Sequence, residues 1–127
     1  MSANGDAILV VHDVEETRDG IEKLLLADGF QVTCARKQAD AVVKIELESP
    51  DLILVNLFGP AIDMIACARR IREHARLGVA VPLVIFCVDA VQEGEEIDFG
   101  DNIYVTRPDN FDQLLAFLHR LLRKSTQ

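Results

Sequence analysis

A chain of 127 residues, half of them apolar and 27% charged, is long enough for one domain with an ordinary hydrophobic core. Its net charge of −8 opposes a nucleic-acid partner, which needs a basic face, and its apolar runs fall far short of the roughly twenty residues that cross a bilayer. The three cysteines, Cys34, Cys67 and Cys87, are odd in number and widely spaced, with no C-x-x-C. Together with the lack of a secretory pattern at the start, they predict a cytoplasmic protein with reduced thiols and no structural metal.

Five short apolar runs, rich in β-branched residues, alternate with segments of helical spacing. AILVVH (7–12) is followed by Ile21, Leu24 and Leu25 at i, i+3, i+4, with Gly29 as the helix stop. FQVTCA (30–35) alternates apolar and polar residues as an edge strand does. Ala39, Val42, Val43 and Leu47 set a second helical stripe before Pro50. DLILVN (51–56) is apolar until it ends on Asn56, just ahead of Gly59-Pro60. Met64, Ile65, Ala68 and Ile71 predict a third helix, with Arg69, Arg70, Arg72, His74 and Arg76 expected on its solvated side. PLVIFC (82–87) is a fourth buried strand. The stretch 89–101 then carries six acids and no Lys or Arg, and Gly94 in its middle predicts a short or frayed fourth helix. NIYVT (102–106) is the fifth strand. Asn110–Gln113 reads as a capping box ahead of the stripe Leu114, Leu115, Leu118, Leu121, Leu122, with Arg120, Arg123 and Lys124 suited to the helix C-terminus.

Strands and helices alternating in this way imply a parallel sheet with right-handed crossovers and helices on both faces. Sites in such sheets form beyond the carboxyl ends of the strands, at the point where strand order reverses. The residues delivered there are His12 and Asp13, Asn56, Cys87, and Thr106 with Arg107.

The stretches ILVVHD, PDLILVNLFGP, VPLVIFCVDA and IYVTRP, in this order and spacing, resemble the CheY-like receiver domain of response regulators. The resemblance spans about residues 6–124 of a single 1–127 domain. It implies a flavodoxin-like (βα)5 doubly wound fold: a five-stranded parallel sheet in the order 2-1-3-4-5, with the fourth helix shortened. It also implies a site. Receivers place an acidic pair after the first strand, a phospho-accepting Asp after the third, Ser or Thr after the fourth, and Lys before Pro after the fifth. Here those positions hold His12 and Asp13, Asn56, Cys87, and Arg107 before Pro108; Tyr104 matches the aromatic whose rotamer reports phosphorylation.

Only Asp13 keeps the family's residue. Acyl-phosphate formation needs an anionic nucleophile and a divalent cation, and magnesium wants charged oxygens. An amide and one carboxylate, set against Arg107, supply neither. The expectation is a pseudo-receiver that is not an enzyme, with magnesium binding weak or absent, and that works in two-component-type signalling through protein contacts. The rival readings are a phosphorylatable response regulator, or a small-ligand or redox sensor using the vacated pocket. Arg107 is expected to pair with Asp13, since its fork matches a carboxylate. His12 is either hydrogen-bonded at a strand end or a metal ligand with Asp13 and Cys87; Cys87 either replaces Ser or senses oxidation. The resemblance puts the partner, another protein or a second copy, on the face of the fourth helix, fifth strand and fifth helix. There the 89–101 acids, Tyr104 and Phe117 gather, with no direct role for nucleic acid or membrane.

Overall fold

The computed structural model describes residues 6–56, 60–86, 92, 94–108 and 110–125. Its elements run β1 (Ala7–His12), α1 (Glu15–Ala27), β2 (Gln31–Ala35), α2 (Gln38–Leu47), β3 (Leu52–Asn56), α3 (Ala61–His74), β4 (Leu83–Phe86), β5 (Glu96–Asp98), β6 (Ile103–Thr106) and α4 (Phe111–Ser125). Among the described residues one sheet holds six strands in the order β2-β1-β3-β4-β6-β5. Every neighbour is parallel except β5, which runs antiparallel to β6.

The near-continuous apolar runs are explained by burial on both faces. Ile8 and Val10 of β1 point to one side, where Leu25 of α1 and Leu114, Leu118, Leu121 and Leu122 of α4 cover them. Leu9 and Val11 point to the other, against Ala41 and Ile45 of α2 and Met64, Ala68 and Ile71 of α3. Each fully buried Leu or Ile contributes about 1.5–3 kcal/mol relative to exposure, so two packed layers flank the sheet. Gly29 follows α1 with φ 97, the left-handed turn that closes the helix. At α4, Asn110 Oδ1 accepts from Gln113 N–H at 2.8 Å, as the capping motif predicts. Among the described residues no helix is long and apolar enough to cross a membrane.

Three expectations need correction. The sheet has a sixth strand, and the described part of 89–101 contains no helix: Glu96–Asp98 is the edge strand β5. Gly94 takes φ 86, which halts a helix, and Ile97 packs inward between exposed Glu96 and Asp98, the period-two pattern of a strand. A helix there would also have stacked like charges. The second correction concerns α2, whose buried stripe is Ala41 and Ile45; Val43 and Leu47 are 52% and 79% exposed.

The third is Arg72. It lies on the inward side of α3, 9% exposed, and donates to the carbonyls of Asp101 and, at 2.6 Å, Val81. Its Nε has no hydrogen-bond partner among the described residues, and burial lowers its pKa while Asp101 raises it. This guanidinium braces the 99–102 turn between β5 and β6. There Asp101 and Asn102 follow Gly100 in positive φ (56, 63 and 85), a region Asp and Asn tolerate. Asn102 Nδ2 adds a bond to the Val79 carbonyl at 2.8 Å.

Candidate functional site

The strand order reverses between β1 and β3, so the crevice at the switch point opens at their carboxyl ends. Parallel register sets His12 directly beside Asn56 there. Further along, Phe86 pairs with Thr106, and Arg107 follows. The structure thus brings His12, Asp13, Asn56, Thr106 and Arg107 to one edge of the sheet. Cys87 lies outside the described residues.

His12 is buried, with 6% exposure. Its Nδ1 accepts from Val14 N–H at 3.1 Å, which places the proton of the neutral ring on Nε2. Burial lowers its pKa, Asp13 opposes this with Oδ1 3.7 Å from Nδ1, and Arg18 reinforces it. Arg18 Nη1 donates to the His12 carbonyl at 2.8 Å, so a cation from the first turns of α1 sits against the strand end. Sequence reading missed Arg18 because the helical spacing of α1 marks its apolar face and says nothing of which polar side chain folds back. Asp13 is exposed and Asn56 half-buried.

Arg107 does not make the expected pair with Asp13: among the described residues no ion pair joins them, and Asp13 lies against His12 instead. The contacts seen at Arg107 are main-chain bonds to the segment of β5. Arg107 N–H donates to the Glu95 carbonyl at 3.2 Å and its own carbonyl accepts from Gly94 N–H, which extends the antiparallel pairing and anchors the Arg107 main chain to the outer hairpin. The Thr106 hydroxyl likewise donates to the Glu95 carbonyl at 3.1 Å.

Beyond this edge, Tyr104 is held on two sides. Its hydroxyl donates to Asn102 Oδ1 at 2.7 Å, and its ring meets Phe117 edge-on, 5.7 Å between centroids and 87° between planes. Burial and Asp98 raise its pKa. Phe117 is only 4% exposed, so it supports Tyr104 from beneath and adds little surface of its own. Arg120 lies over the Phe117 ring at 5.1 Å and pairs with Glu96 at 2.5 Å.

A doubly wound α/β domain with polar side chains gathered at the β1/β3 switch point defines a class of small signalling and cofactor-binding domains. No protein-family model matches the chain. It is 32% identical over 127 residues to the transcriptional regulatory protein GltR of Pseudomonas aeruginosa, covering 98% of this chain and 52% of that protein. To the transcriptional regulatory protein KdpE of Staphylococcus aureus it is 32% identical over 113 residues, 86% of this chain and 46% of the relative. The chain therefore spans about half the length of the curated relatives it matches. Among solved structures, the receiver domain of the sensor histidine kinase PA1611 from Pseudomonas aeruginosa aligns with a TM-score of 0.68 at 28% identity, over 93% of this chain and 98% of that one. The receiver domain of a histidine kinase from Syntrophus aciditrophicus aligns at 0.71 and 23%, over 94% and 91%, a likeness of fold. Fold and sequence together support a CheY-like receiver domain of two-component response regulators.

Proposed function

We propose that this receiver domain acts without phosphorylation, as a protein-binding module rather than an enzyme. The observation that carries the reading is the register of β1 and β3, which sets a neutral imidazole, His12, beside a neutral carboxamide, Asn56, at the switch point. Among the described residues the carboxylate beside them is Asp13, and Arg18 brings a positive charge to the same strand end. A magnesium ion is a poor fit for such a set, since it wants several anionic oxygens and an imidazole is a weak ligand for it. An amide is not a nucleophile for phosphoryl transfer. The partner face is the hairpin of β5 and β6 together with α4, and the exposed Glu95, Glu96, Asp98 and Asp101 make its hairpin part acidic.

The test is incubation with acetyl phosphate and magnesium, followed by intact-mass measurement of the wild-type chain and of Asn56→Asp. Neither is expected to gain a phosphoryl group, because Asn56→Asp restores one carboxylate but leaves His12 and Arg18 in place. A phosphoryl adduct on the wild type would overturn the reading in favour of a phosphorylatable response regulator.

A further inference from the structure

We propose that the outer edge of β5 is a docking strand for an extended, lysine- or arginine-rich segment of a partner protein; this rests on the phosphorylation-independent reading above and names how the partner is held. Among the described residues β5 is the last strand of the sheet. The bonds that tie it to β6 run from Arg107 N–H to the Glu95 carbonyl and from Phe99 N–H to the Ile103 carbonyl, at 3.2 and 2.8 Å. Main-chain groups alternate in direction along a strand, so residues 95, 97 and 99 face β6, and Glu96 and Asp98 turn their N–H and C=O groups outward. No hydrogen bond to these outward groups is found among the described residues, and both residues are exposed. An edge with such a row of donors and acceptors is a template for another strand.

Charge chooses the occupant. The segment 89–106 carries six acids and no Lys or Arg, and the whole chain stands at −8. Glu95, Glu96, Asp98 and Asp101 are all exposed along the hairpin. Like charges directly opposite one another destabilise a strand pair, so a second copy pairing β5 to β5 is disfavoured, whereas basic side chains are attracted. The opposite edge, β2, leads into Arg36 and Lys37 and repels the same segment. The hairpin is also well mounted: the Glu96–Arg120 pair fastens it to α4, and Arg72 braces its turn.

The experiment titrates the full, isotope-labelled chain with a short peptide of alternating lysine and valine. Two comparison peptides accompany it: the same peptide N-methylated at alternate residues, which keeps the charge and removes donors, and its glutamate counterpart. The lysine peptide is expected to bind and to move the amide resonances of residues 95–99, leaving β2 undisturbed. N-methylation is expected to weaken it about tenfold, the loss of one or two hydrogen bonds, and the glutamate peptide is expected not to bind. Asp98→Pro removes an outward donor at an edge position that tolerates proline, and should cost a similar factor. Asp98→Asn keeps that donor, so its smaller, salt-sensitive loss isolates charge. Equal affinity for the N-methylated and plain peptides, resonance changes confined to other surfaces, or no binding of the lysine peptide would each overturn the docking strand. A phosphoryl adduct in the mass experiment would overturn the phosphorylation-independent reading instead, so the two failures are distinguishable.

Discussion

Replacing Phe117 with alanine removes a ring of α4 that is 4% exposed and packed against Tyr104 within the apolar layer. Truncating a buried phenylalanine costs about 3–5 kcal/mol through lost transfer energy and the residual cavity. Part of that is specific to the aromatic pair, about 0.5–1.5 kcal/mol, with about 0.5–1 kcal/mol more from Arg120 above the ring. Against a total stability on the order of 10 kcal/mol for a domain of this length, Phe117→Ala should fold but melt roughly 15 °C lower. The assay is urea unfolding of Phe117→Leu, Tyr104→Leu and the double variant. Their coupling should fall in the range given for the aromatic pair. Tyr104→Phe, which loses only the bond to Asn102, should cost about 1 kcal/mol. A Phe117→Ala penalty below about 1 kcal/mol, outside the range for buried aromatics, would refute the packing argument and return Phe117 to the surface. Since the ring serves the fold, partner binding is better probed at Tyr104 and β5.

His12 gives a pH prediction. Its folded pKa lies below the ordinary 6.5, so between the two values the unfolded chain binds more protons and stability rises with pH. The contribution is complete above pH 6.5 and is lost as pH falls toward the folded value; His12→Asn should flatten that part of the stability profile, and an unchanged slope would count against the burial argument. Arg72→Met should lower stability by about 2 kcal/mol, the loss of two charge-assisted bonds less the relief of burying a cation, with amide exchange at 99–102 accelerated most. The Cys34 thiol is pushed up to about 11, first by burial and then by Glu22. Peptide mapping at pH 8 should therefore find Cys34 alkylated about a hundredfold more slowly than a model thiol, given that the thiolate is the nucleophile; rapid labelling would contradict this.

The parallel core was legible because its strands are buried on both sides: AILVVH became β1 and LILVN the whole of β3. The side-by-side placement of His12 and Asn56 was readable for the same reason, since polar residues ending two such runs have one edge to occupy. What sequence hid were choices made by tertiary contacts. EID at 96–98 is too short and too charged to announce a strand, and becomes one through pairing with β6 and the inward turn of Ile97. Val43 and Leu47 share a helical rhythm with Ala39, but packing selects the Ala41–Ile45 phase. Arg72 looked like one more solvated base, because nothing in its neighbours marks the two carbonyls it braces. The Arg107 main chain is tied to the outer hairpin by bonds that exist only once β5 exists.

That hairpin also divides the molecule by sequence distance. Parallel neighbours such as β1 and β3 meet only after a long crossover, whereas β5 reaches β6 across residues 99–102 alone. Contacts between residues close in the chain form early and cost little loop entropy. They also open without disturbing what lies beyond them. The edge strand should thus open, against its ties to Arg120 and Arg72, before the five-stranded parallel core does. Its proton-exchange lifetimes would form a separate class, short at Ile97 and long at Leu54 and Val84.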